Sequence, residues 1–311
     1  MRIYSAEDVH GALPFPRLID ALAAAFAANQ EEAPVRAAFE VGLPGAPAHL
    51  LTMPAWRRGE AIGVKLVNVF PGNAAKGLGS VSSLYVLFDG QTGAPRAIID
   101  GEALTNRRTA AASALASRFL SREDSATLTL VGTGHLAPHL AAAHAAVRPI
   151  TRVLVWGRTL EKAQATAARL QAQGLNAEAA PDLAAAVGAA DIVSAATTST
   201  VPLVLGADVK PGTHVDLVGA FTPAMRESDA ALVAKAEVYV DTAAGTLAEA
   251  GDLLQPLAAG LWSKDLMRGE LHQLCAGLVP GRTDAASVTL FKSVGAALED
   301  LVAARLVAGD A

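Results

Sequence analysis

Cysteine is almost missing from this 311-residue chain, with Cys275 the only one. That excludes a disulfide framework and a cysteine-built zinc site; the lone thiol reads as a small buried hydrophobe. Aromatic residues are scarce at 5%, charged residues make up 18%, and the net charge is −5. Without a basic block, nucleic acid and anionic membranes have nothing to hold. A membrane-spanning run is missing too. The longest uncharged stretch, residues 125–147, holds three histidines, two glycines and a proline. It reads as strand, turn and helix. The N-terminus has no apolar signal-peptide core; it offers Ser5-Ala-Glu-Asp8, a helix cap. These absences predict a soluble protein in a reducing, cytoplasmic setting.

Apolar residues are abundant at 52%, which rules out disorder and allows a large core. The length suggests about two domains. Helical stretches at residues 5–13 and 16–29 open the chain. Extended segments follow at 35–41, 49–55, 61–70, 81–88 and 94–99, several separated by Pro-Gly, Gly-Asn or Asp-Gly pairs. Five strands in succession predict a mostly antiparallel sheet, closed by a helix at 102–120. Beyond Ser121-Arg-Glu-Asp124 the pattern changes. Strands at 127–131 and 152–156 alternate with helices at 135–147 and 160–173, and short strands follow at 190–195, 214–218 and 237–240. That alternation predicts a doubly wound parallel sheet, covered on both faces. A last helix, about 287–306, is expected to pack back on the first block.

The stretch Gly132-Thr133-Gly134-His135-Leu136-Ala137 lies between a predicted strand and helix. Gly132 permits a tight turn, Gly134 lets the backbone approach a pyrophosphate, and Ala137 allows helix and strand to pack closely. Strand–turn–helix context turns a weak motif into a dinucleotide-binding signal. The next strand ends in Trp156-Gly157-Arg158-Thr159, where an NAD site would carry Asp or Glu. Arg158 can pair with a 2′-phosphate and Thr159 can add a hydroxyl, which points to NADPH, with NADH the second choice.

With these residues in view, the chain resembles the ornithine cyclodeaminase/mu-crystallin family over nearly its whole length. The motifs are Gly63-Val-Lys65-Leu-Val-Asn68, Gly77-Leu-Gly-Ser80-Val, Leu104-Thr-Asn-Arg107-Arg108-Thr-Ala-Ala-Ala-Ser113, the Gly132 turn, and Leu290-Phe-Lys-Ser293-Val-Gly295. The resemblance implies an α/β protein with a central Rossmann-type domain, residues 122–286. Residues 1–121 with 287–311 would form an α+β substrate-binding and dimerisation domain, with the active site between the two. It also implies that Lys65, Arg108 and, less directly, Arg36 surround a substrate carboxylate. Ser80 matches a family threonine near the nicotinamide. Ala196-Thr197-Thr198 and Val218 would carry further parts of the cofactor.

One departure matters. The ornithine cyclodeaminases carry an aspartate where this chain has Phe221, in Val218-Gly-Ala-Phe221-Thr-Pro-Ala-Met-Arg-Glu227. A phenyl ring takes no proton, so cyclodeamination is disfavoured. The segment resembles the branch that reduces cyclic ketimine carboxylates, Δ1-pyrroline-2-carboxylate to L-proline and Δ1-piperideine-2-carboxylate to L-pipecolate. The expected ligand is thus a small cyclic imino acid, the expected assembly a homodimer. Two alternatives stay open: an alanine-type amino-acid dehydrogenase, and a mu-crystallin-like carrier of NADPH and a small ligand. Asp216 reads as a strand-end residue bonded to backbone or ribose, and His49 as a structural histidine.

Overall fold

Two units make up the chain in this computed structural model, which describes residues 1–310. Unit 1 comprises Met1–Ala25, Asn29–Thr109 and the C-terminal segment from Ala296. Its sheet has six strands: β1 (Arg2–Tyr4), β2 (Ala37–Glu40), β3 (His49–Arg57), β4 (Ala61–Val69), β5 (Val81–Asp89) and β6 (Pro95–Asp100). The spatial order is β1-β6-β5-β4-β3-β2. Strands β2 to β6 run antiparallel, as expected, and the short β1 joins the edge parallel to β6. Alternation fixes which face is inside. Along β4, Ala61, Gly63, Lys65 and Val67 are buried, while Ile62 and Asn68 point outward. The C-terminal helix, Ala297–Ala308, packs on β3, β4 and β5.

Unit 2 comprises Ala110–Gly295 with the short piece Phe26–Ala28. Its eight strands are β7 (Thr127–Val131), β8 (Arg152–Trp156), β9 (Ala177–Ala179), β10 (Ile192–Ala195), β11 (His214–Leu217), β12 (Glu237–Val240), β13 (Met267–Glu270) and β14 (Thr289–Lys292). All pairs are parallel, in the order β13-β12-β14-β11-β10-β7-β8-β9. The doubly wound expectation therefore holds. Sheet and flanking helices bury a continuous aliphatic core that includes Val131, Val193, Val215, Leu217, Val240 and Leu290.

The division between units differs from the expected boundaries at three places, one of them the short piece Phe26–Ala28. Helix Gly101–Leu120 is continuous, and its first nine residues go with unit 1. The stretch 287–306, expected to be one helix, instead begins with β14, buried throughout and paired with β11 and β12. Helix starts only at Ala297. Four residues, Thr289-Leu-Phe-Lys292, are too few to tell strand from helix by periodicity, and here pairing on both sides decides it. Among the described residues, no single helix is long and apolar enough to cross a membrane.

Candidate active site

Lys65 and Arg108 lie inside unit 1, 2% and 4% exposed. A buried cation survives only with partners, and both find them at the start of the C-terminal helix. Lys65 Nζ donates to Asp300 Oδ1 at 3.0 Å, stands 2.8 Å from Oδ2, and reaches Thr105 Oγ1 at 3.4 Å. Arg108 Nε donates to the same Asp300 Oδ1 at 3.0 Å, and its Nη1 to Glu299 Oε2 at 2.7 Å. Burial, the Arg108 guanidinium and, more weakly, Arg36 pull the Lys65 amine down to about 8, against the opposing pull of Asp300. Burial also works against the charge on Arg108, but Asp300 and Glu299 outweigh it and hold the guanidinium above its ordinary range. Tyr85 faces Lys65 across the β4–β5 pair. Its buried hydroxyl has no hydrogen-bond partner among the described residues, and burial, with the Asp300 charge, pushes it well up. The neighbouring Arg107 turns elsewhere: it stacks 4.1 Å over the Phe15 ring and donates to the Leu13 carbonyl. One arginine of the pair holds helices together, and the other enters the cation cluster.

In unit 2 the register brings the predicted cofactor-binding residues, apart from Ser80 in unit 1, to one edge. Val131 pairs with Trp156 on one side and Ala195 on the other, and Ala195 pairs with Leu217. The segments leaving those strands are therefore neighbours: Gly132 to Leu136, Gly157 to Thr159, Ala196 to Thr198, and Val218. This edge is also where the chain reverses its direction across the sheet, the place where open α/β sheets bind ligands. Gly132 has φ +126°, and a Cβ there would lie 2.6 Å from the Ala196 carbonyl oxygen. Gly157 is needed for a similar reason, since its Cβ would lie 2.6 Å from Thr133 Cγ2. Space is open around Gly134, and the helix Ala137–Ala145 has no side-chain cap at Leu136. Ala137 N donates to the Gly134 carbonyl at 3.2 Å and Pro138 has no N–H, so the place where a phosphate could approach is the open glycine turn before the helix. Arg158 and Thr159 are exposed.

Two carboxylates stand behind these features, and only Asp216 has a signal in the sequence. Glu227 is fully buried and accepts from Thr197 N at 2.6 Å, Thr197 Oγ1 at 2.9 Å and Gly219 N at 2.7 Å. It thereby ties together the loops that leave β10 and β11. Burial raises its carboxyl to about 7, against the pull of Lys292. Asp216 does stand near the end of β11, but its partners are serine side chains. It is wholly buried and accepts from Ser113 at 3.0 Å and Ser194 at 2.6 Å. Ser80 lies in unit 1, after β4, where its carbonyl accepts from Phe70 N. His49 is exposed at the start of β3, Phe221 is partly exposed, and Cys275 is only half-buried, its thiol pushed up to about 12 by burial.

The geometry can be set beside known proteins. The chain matches the profile of the ornithine cyclodeaminase/mu-crystallin family over residues 1–311. It is 40% identical to a Δ1-pyrroline-2-carboxylate reductase of Colwellia psychrerythraea, across 99% of this chain and 98% of that protein. Its fold superposes on the Δ1-pyrroline-2-carboxylate reductase of Thermococcus litoralis, solved with NADH and L-proline, with TM-score 0.95 and 32% identity, covering 100% of this chain and 97% of that one. An archaeal alanine dehydrogenase dimer with bound NAD gives TM-score 0.90 at 28% identity, over 99% and 95% of the two chains.

Proposed function

The chain belongs to the ornithine cyclodeaminase/mu-crystallin family, and we propose that it reduces cyclic ketimine carboxylates, Δ1-pyrroline-2-carboxylate to L-proline and Δ1-piperideine-2-carboxylate to L-pipecolate. The observation that carries this reading is the pair of buried cations, Lys65 and Arg108, bridged by one carboxylate inside unit 1. Burying two positive groups is costly, and a planar acid with one fixed negative charge is the ligand that such a pair suits.

Arg108 grips the substrate carboxylate, and Arg36 adds positive field. Lys65 stands beside the imine nitrogen. A nicotinamide cofactor, when bound, supplies the hydride to the ring carbon that bears the carboxylate. The C=N pair then moves onto nitrogen, which takes a proton from the Lys65 ammonium; solvent later restores that proton. An amine near 8 is a better acid than an ordinary lysine and is still mostly charged at neutral pH. The residues of unit 2 fit a dinucleotide. Gly132, Thr133, Gly134, His135 and Leu136 would cradle the pyrophosphate at the open glycine turn, and Ala196, Thr197, Thr198 and Val218 would line its nicotinamide half. Ser80 would hold the carboxamide. Arg158 and Thr159 would receive a 2′-phosphate, so NADPH is the preferred reductant and NADH the second. The protein works as a homodimer in the cytoplasm on this reading. The run of exposed apolar side chains Val35, Phe39, Val41 and Leu43 supports a second copy as its cover.

The test is oxidation of NADPH, and separately NADH, with each of the two imino acids. Consumption of either reductant that depends on imine confirms the reading. Reduction of pyruvate with ammonium instead would favour the amino-acid dehydrogenase. Tight NADPH binding without turnover of any of these would favour a carrier.

A further inference from the structure

We propose that Asp300 is the positioning residue of the carboxylate grip: it fixes the Lys65 ammonium and the Arg108 guanidinium at one separation and keeps the Lys65 amine protonated. This deepens the reading above and rests on it for the role of Lys65 as proton source.

The argument is geometric. Asp300 is wholly buried at the start of the C-terminal helix. A single carboxylate oxygen, Oδ1, accepts from both cations, each at 3.0 Å, and Oδ2 stands 2.8 Å from Lys65 Nζ. Glu299 bonds Arg108 through Oε2 and accepts from Ala296 N through Oε1. The groups that face Lys65 come from every element around it. Across β5 is Tyr85, a neutral phenol. Across β3 is Met53, which carries no charge. From helix Gly101–Leu120 come Thr105 and the Arg108 cation, and from the segment before β2 comes the field of Arg36. Of the charges named as acting on Lys65, Arg108 and Arg36 are positive and Asp300 alone is negative. Without that carboxylate, burial and two guanidinium groups all favour the neutral amine.

Arg108 does not depend on Asp300 alone, because Glu299 remains as a partner. The two acidic neighbours therefore have separable roles. Glu299 secures the arginine, and Asp300 couples it to the lysine. The arrangement also leaves Arg108 with its Nη2 edge beyond these two bonds, the donor available to an incoming carboxylate.

The experiment is Asp300→Asn in the full chain, read in two ways. Lysine side-chain NMR, with Lys65→Arg used to assign the signal, follows the titration of Lys65 directly. The pH dependence of kcat/KM follows its consequence. The expected result is a Lys65 midpoint lowered by roughly one pH unit or more, an alkaline limb moved down by the same amount, and kcat/KM at neutral pH reduced at least about twofold, as the charged amine is lost, with NADH affinity unchanged. Asp300→Glu, which restores the charge, should return the midpoint to that of the wild type; it also serves if the Asn variant does not fold. A Lys65 midpoint unmoved in Asp300→Asn, or displaced as far in Asp300→Glu as charge removal requires, overturns the inference. The NMR arm needs no turnover. If the midpoint falls as expected but the wild type reduces no imino acid, the functional reading fails and the placement of Asp300 stands.

Discussion

Unit 1 gathers positive side chains inside an apolar sheet, whereas the edge of unit 2 where β7, β8, β10 and β11 end offers backbone N–H groups and room. Both arrangements suit anions, and each has its own weakness. The cations of unit 1 need compensation, and Asp300 and Glu299 supply it from the far end of the sequence. The glycine turn of unit 2 needs no countercharge, but it tolerates no added atom at Gly132. The contrast teaches that a change of charge should break one unit's site and a single methyl group the other's.

The largest effect is expected in unit 1. Arg108→Lys keeps one positive charge against Glu299 and Asp300, so the unit should fold, but it loses the planar fork. Reductase kcat/KM should fall about 1000-fold, equivalent to roughly 4 kcal/mol, while NADH affinity, measured by fluorescence titration, stays within about twofold. Equal losses in both would blur the contrast. Next comes Gly132→Ala, which forces a Cβ onto the Ala196 carbonyl at a positive φ. NADH binding should weaken about 100-fold, the scale of 1–3 kcal/mol of backbone strain. The affinity of a proline-like carboxylate for unit 1 should be retained. The smallest effect is at the exposed Arg158. Arg158→Ala should weaken NADPH use about tenfold and leave NADH use nearly unchanged, since a solvent-facing ion pair contributes modestly. A matching loss with NADH would remove the 2′-phosphate from the account. Between these lies a pH prediction. Lys65 is depressed to about 8, so it is charged below that value and neutral above it. Wild-type kcat/KM should therefore hold near neutral pH and decline as pH rises through about 8, with no such decline in NADH affinity.

The same contrast explains what could be read from sequence. The turn Gly132 to Ala137 is local: strand, glycines and helix follow one another, so its meaning is visible within ten residues. The alternation that predicts a parallel sheet is also local. The motifs around Lys65 and Arg108 mark both residues, and β4 alternation agrees with an inward Lys65. Their partners carry no such mark. Asp300 is separated from Lys65 by 235 positions, and nothing about a Glu-Asp pair inside a predicted helix points to a lysine in an early strand. Glu227 was hidden for a related reason, because its three bonds go to Thr197 and Gly219 in loops from different strands. Asp216 was assigned to backbone or ribose, since no sequence signal places Ser113 and Ser194 around it. β14 reads as part of a helix because short buried parallel strands lack the two-residue alternation that marks a strand.

The central claim is that fixed positive side chains in unit 1 recognise the negative charge of the substrate. It is tested most directly by comparing Δ1-pyrroline-2-carboxylate with its neutral methyl ester, at equal concentrations of reductant, in the wild type and in Arg108→Lys. The account predicts that the ester loses about 1000-fold in kcat/KM in the wild type, roughly 4 kcal/mol, and far less in the variant. An ester reduced as well as the acid by the wild type would contradict it.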